Sequence, residues 1–373
     1  MIATLATLQT GIEPGVLALL TENHAAAPQE FGWIVSLGQV GMAVGALLGW
    51  LQTCATHRLV RGAPIVALAA SIALPFCHDL AAVLALRLVL GTCMGLLLTR
   101  AVAIAARRRP HQAIGIIMLA QQLLSTAALA ALPLVATLCG PAAALAMLAL
   151  APLTIALLLR HEAVGDRDAE TTGQSARDVP LVSSAMTATI VTRIVPMVLL
   201  VGITMMLWSY IAPIGTALNL PDADIGSAIA LTSLASAPSA MLAALTMPRF
   251  KPWLTVLMCG SGILSPLLLS ADAGINGYLV ALTLFNMGST FGMIRLSAHA
   301  MQNVAAGRER RLVAMAQCAA MAGGPALGAV AVRVNGLAML DGAAIAGVAA
   351  AILLPAIMRI AWRATGLRNA VSG

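Results

Sequence analysis

Two residues in this chain stand where charge is costly. Glu13 lies in TLQTGIEPGVLALL, residues 7–20, beside Pro14 and inside an apolar run. Arg87 opens RLVLGTCMG, residues 87–95, inside another. A carboxylate in such surroundings is pulled two ways: low polarity favours its protonated form, and a nearby guanidinium favours its ionised form. The two types together can hold a static ion pair or let a proton take the cation's place. Other chemistries have little to work with. The six cysteines (Cys54, Cys77, Cys93, Cys139, Cys259, Cys318) are scattered and form no C-x-x-C pair, so they read as small apolar fillers. One C-x-x-H spacing, Cys54 to His57, makes no metal site. G-x-x-x-x-G-K-[ST] is absent, and Lys251 is the one lysine, so ATP-driven transport within the chain is excluded. His78-Asp79 is too small a cluster for a membrane-embedded transferase.

The elements that must position Glu13 and Arg87 follow from the chain's solvent. Of 373 residues 60% are hydrophobic and 9% charged, and mean hydropathy is +0.94. A soluble domain carries roughly a quarter charged residues. This chain cannot cover a water-facing surface, so its solvent is lipid. Its apolar stretches run to about 20 residues without in–out alternation, which predicts membrane helices rather than a barrel. The run starts at Met1 without a basic leader, so no cleaved signal is expected.

Twelve spans are expected: 2–21, 31–52, 62–77, 80–106, 112–138, 141–160, 190–214, 225–247, 252–271, 277–303, 312–334 and 340–362. With the N-terminus inside, sixteen of the twenty-one basic residues fall in inside loops or the C-terminal tail, and none in outside loops. The positive-inside rule is met at every connection, and a missed helix would invert all later ones. The net charge of +7 is therefore topological and implies no nucleic-acid partner. The expected fold is an all-α integral membrane protein with both termini cytoplasmic. Residues 1–160 form an N-terminal six-helix bundle, 161–189 a polar cytoplasmic loop, and 190–373 a C-terminal six-helix bundle.

The halves match weakly at offsets of 194–197. Glu30-Phe31-Gly32 matches Asp224-Ile225-Gly226. Gly91-x-x-x-Gly95 matches Gly288-x-x-x-Gly292, and MLAQ ending at Gln121 matches AMAQ ending at Gln317. Small-residue stripes follow the first match: Gly38, Gly41, Gly45 and Gly49 against Thr232, Ala235, Ser239 and Ala243. Such spacing lets helix backbones approach closely. Parallel six-helix repeats bind substrate between them near the midplane.

Over essentially its whole length the chain resembles the major facilitator superfamily. The resemblance rests on twelve helices split six and six, the central loop, and the Arg-x-x-x-Gly-x-x-x-Gly of the fourth helix, Arg87 to Gly95. In proton-coupled members the matching Arg is associated with proton transfer or gating, which implicates Arg87. The chain also departs from the family. The loop GWLQTCATHRLVRG lacks the acid usual between helices two and three. The Gly-Pro motif of many drug antiporters is missing from helix five, while MAGGPALG, Met321 to Gly328, lies in helix eleven.

Helix one rises from the inside, so Glu13 lies about 18 Å deep at 1.5 Å per residue. Helix four descends, and Arg87 lies about 12 Å from the outer face. In a core of about 30 Å these depths coincide. Glu13 and Arg87 are expected to pair, facing the central cavity, either as a protonation switch or as a structural ion pair. Arg193 and Arg333 can snorkel from helix ends. Arg100 and Arg295 read as gate or structural contacts, and His299 as interfacial or a proton relay. Cavity candidates are Gln9, Gln39, Gln121, Gln122, Trp208, Tyr210, Asn286 and Gln317. Pro14, Pro325, Gly91, Gly95, Gly288 and Gly292 are expected points of helix flexibility.

The reading that follows is a monomeric secondary transporter of a small organic solute in a bacterial inner membrane. It works by alternating access, with a proton gradient rather than a cofactor as its energy source. Five intramembrane arginines against one acid favour an organic anion. Efflux of lipophilic compounds, a non-transporting receptor or assembly protein, and a membrane transferase are the alternatives.

Overall fold

The structure, a computed structural model, describes residues 1–23, 27, 30–51, 54–105, 110–162, 190–245, 251–269, 271–301 and 307–364. Among them all regular structure is helical. The first half contains α1 (Ile2–Glu22), α2 (Phe31–Leu51), α3 (Cys54–Ala73), α4 (Leu80–Ala105) and α5 (Pro110–Cys139). It ends with α6, in which Pro141–Ala146 and Leu150–Glu162 are joined by a 3-10 turn. The second half contains α7 (Val195–Ala217), entered through a π-helical turn at Ile190–Ile194. Next is α8, which is broken between Asp222–Ser233 and Ser236–Leu245. Then come α9 (Pro252–Leu264), α10 (Gly274–Met301), α11 (Gly307–Asn335) and α12 (Ala338–Ala364).

Eleven of these are long and apolar enough to cross a bilayer. The remaining one, at Trp253–Leu268, is apolar but shorter, because Pro266 tightens its end into a 3-10 turn. The third span is fuller than the sequence suggested: α3 begins at Cys54 and its apolar part covers Leu59–Phe76. The expected central loop lies outside the described residues from 163 to 189. Arg107, Arg108, Arg109, Arg167, Arg177, Arg249 and Arg368, all counted for orientation, lie outside them as well. The α5–α6 joint turns at Gly140, whose φ of +89° suits a residue without Cβ, and Pro141 starts the next helix.

Glycine sets the tightest packing. In the first half α2 and α4 touch backbone to backbone. A Cβ on Gly91 would overlap the Gly38 carbonyl, and one on Gly95 the Met42 carbonyl. In the second half Gly288 meets α9 instead, where an added Cβ would lie 2.7 Å from the Cys259 carbonyl oxygen. Gly292 faces Leu200 and Cys259. These four glycines serve close approach, since only a residue without Cβ lets the neighbouring helix come so near. Although they match in sequence, the two pairs face different neighbours.

The halves meet along two seams. At the end assigned outside, α2 packs on α11. An added Cβ on Gly32 would lie 2.7 Å from the Ala329 Cβ, and Ser36 Oγ donates to the Ala322 carbonyl at 2.8 Å. Pro325 belongs to this seam, its carbonyl pressed against Gly32 inside an unbroken helix. On the other side of the molecule, Met118 and Leu119 of α5 pack on Ala240 and Ala243 of α8 and Ile294 of α10.

Candidate functional site

Glu13 and Arg87 form a buried ion pair between α1 and α4: Arg87 Nη2 donates to Glu13 Oε2. Arg87 is 0% exposed and Glu13 1%. Two features let the guanidinium fit. Gly38 presents only backbone to it, an added Cβ there lying 3.6 Å from Arg87 Nε. Gly91 and Gly95 hold α4 close to α2. Even so, among the described residues Arg87 Nε and Nη1 have no hydrogen-bond partner, and neither has Oε1 of Gln39, the residue after Gly38. The pair sits inside the first half. Neither residue lines the cavity between the halves, because α1 turns Glu13 toward α4 while Thr10 and Gly11, one turn below, face α5 and α7.

That cavity, about 70 Å³, lies where α1 and α5 meet α7, α8, α10 and α11. Its first-half wall is Thr10, Gly11, Met118, Gln121 and Gln122. Gln121 Nε2 donates to Thr10 Oγ1 at 3.1 Å. Gln122 Nε2 reaches across to Thr290 Oγ1 at 3.2 Å. From the second half come Thr204, Met205 and Trp208 of α7 and Met321 of α11. Trp208 stacks on Phe285 with ring centroids 5.9 Å apart. Asn286, beside Phe285 on α10, donates through Nδ2 to Thr232 Oγ1 at 3.3 Å. Ser289, Thr290 and Met293 continue the same face of α10. The lining thus mixes thioethers, two aromatic rings, hydroxyls and amides, and holds no ionisable side chain. Pockets for drug-sized ligands run to about 300–1,000 Å³, so this cavity is small for one.

Of the eight cavity candidates, Gln121, Gln122, Trp208 and Asn286 line it; Gln9, Gln39, Tyr210 and Gln317 do not. Gln9 is half-buried with Nε2 unpartnered. Gln39 is buried one turn below Ser36, on the α2 face that meets α11. Tyr210 is held in the outer seam, with its hydroxyl against Gly32 and its ring against Gly328. Gln317 accepts from Ser297 Oγ at 3.4 Å, within the second half. The repeat put Gln121 and Gln317 at equal depth, but helix rotation turned only Gln121 inward. Arg100, Arg193, Arg295 and His299 are half-buried and away from the lining; Arg333 is exposed at the end of α11, as snorkelling requires. The arginine excess therefore gives the cavity no cationic wall. Sequence reasoning missed the hydroxyls and methionines, which are common in membrane helices. The one available signal was helical spacing from Asn286, whose +3, +4 and +7 neighbours are Ser289, Thr290 and Met293.

Among the described residues no group of three or more His, Cys, Asp or Glu could hold a metal. No curated protein matches the chain significantly. The family model described as Major Facilitator Superfamily matches residues 1–329. With most of its length matched, and with helical halves meeting around a shared cavity, the chain belongs to the major facilitator superfamily of secondary transporters, proteins of the membrane rather than enzymes.

Proposed function

We propose that the chain carries a small, uncharged, moderately lipophilic organic solute by alternating access, and that Glu13 couples this movement to protons. The lining of the cavity supports the solute class. A buried anion or cation is stabilised best by an opposite charge, and among the described residues lining this wall none is ionisable. The organic anion favoured by the arginine count loses its basis, since no guanidinium borders the site. Lipophilic efflux is the reading that shares this chemistry. Methionines, being unbranched and polarizable, adapt to more than one shape.

One observation carries the proton role. Among the described residues, the buried Arg87 guanidinium has Glu13 as its one hydrogen-bond acceptor. A pair kept only for stability gains most when every donor is satisfied. This one rests on a single described carboxylate, which suits a group that must change partners as Glu13 gains and loses a proton. The chain would act as a monomer, most simply in a bacterial inner membrane.

Reconstituted vesicles test the reading. A screen by melting temperature should select uncharged compounds over organic acids, sugars and organic cations. Flux of a selected compound should respond to an imposed pH gradient and lose that response in Glu13→Gln. Stabilisation by organic acids alone would refute the solute class, and unchanged gradient-driven flux in Glu13→Gln would refute the coupling.

A further inference from the structure

Pro14 sits inside an unbroken helix, α1, and is buried there. Proline has no backbone N–H, so the carbonyl four residues earlier loses its helical partner. That residue is Thr10, which lines the cavity. Its carbonyl accepts instead from across the molecule: Trp208 Nε1 of α7 donates to it at 3.2 Å. The indole needs this acceptor, because Trp208 is 8% exposed and its N–H cannot go unpaired without cost. The same ring forms the cavity wall through its stack on Phe285. α1 keeps its course through Pro14 because Gly11 and Gly15 lie against α5, at Ser125 and Leu129.

We infer that Pro14 is a positioning residue: by freeing the Thr10 carbonyl it creates a latch for the Trp208 indole, which ties α1 to α7 and holds the two halves closed at the cavity. An alanine at 14 would return the Thr10 carbonyl to its own helix, where the α1 N–H would compete with the indole for that oxygen and weaken the latch. Trp208→Phe would remove the donor and keep a ring against Phe285. Both changes act on the same bond, so they should not add. The inference rests on the alternating-access reading in taking the halves to part. It needs neither proton coupling nor a known solute.

The test is a double-mutant cycle read as a distance distribution. Spin labels go at Phe76 and Leu268, exposed positions in opposite halves, in full-length protein whose native cysteines are replaced. Electron–electron double resonance in lipid nanodiscs then reports the ratio of closed to parted halves. Loss of one ordinary hydrogen bond changes that ratio by roughly fivefold. Trp208→Phe should move it by about that factor towards parted halves, Pro14→Ala should move it the same way by no more than that, and the double variant should go no further than Trp208→Phe. Pro14→Ala should melt no lower than wild type, because alanine is the better helix former, so misfolding cannot mimic the effect. An unchanged distribution in Pro14→Ala, or factors that multiply in the double variant, would overturn the inference. Either result would leave the transport reading standing, since flux and its pH response are measured separately.

Discussion

Consider Glu13→Leu. It removes the acceptor of Arg87 Nη2, while Nε and Nη1 already lack one. The guanidinium is 0% exposed and cannot shed its charge. Breaking a buried pair from one side in this way costs about 3–5 kcal/mol. Glu13→Gln keeps an oxygen within reach and should recover about 1.5–3 kcal/mol of that loss, the worth of a hydrogen bond to a charged group. Arg87→Met should also destabilise, but differently. Its orphaned carboxyl can neutralise itself by taking a proton, so it should lose less stability than Glu13→Leu, whose stranded guanidinium cannot. The double variant Glu13→Leu/Arg87→Met removes both charges and should return to within about 1 kcal/mol of wild type. Unfolding in mixed micelles, titrated with dodecyl sulfate at several pH values, measures all four. If Glu13→Leu were as stable as wild type, or the double variant lost the sum of the singles, the pair would not carry the energetics argued here.

Three further outcomes are expected. Gly91→Leu should prevent α2 and α4 from packing, because the obstruction is the Gly38 backbone and no rotamer change relieves it; overpacking costs about 1–3 kcal/mol or more, seen as a lower melting temperature. Gly62→Leu is the control, since nothing lies within 4 Å of an added Cβ there, and it should melt like wild type. Gly32→Leu should wedge the outer seam apart, because its added atoms would press on Pro325, Ala329 and Tyr210. The assay is labelling of Ser36→Cys, opposite Ala322, by a membrane-impermeant thiol reagent, which should be faster in the Gly32→Leu background.

Sequence alone was enough for the membrane, the helices and the partnership of Glu13 with Arg87. Each is governed by a one-dimensional quantity: charge density, length of apolar run, distance along a helix axis. Depth in a bilayer is such a quantity, so two residues on separate helices could be placed at one level from numbering alone. Direction around a helix axis is not. Tertiary packing decided that Glu13 faces α4 and not the cavity, that Gln121 turns inward while its repeat partner Gln317 does not, and that no arginine borders the site. It also decided what Pro14 is for. The sequence marked Pro14 only as a point of flexibility; the packing of α7 on α1 showed that the Thr10 carbonyl, four residues back, accepts from the indole of Trp208.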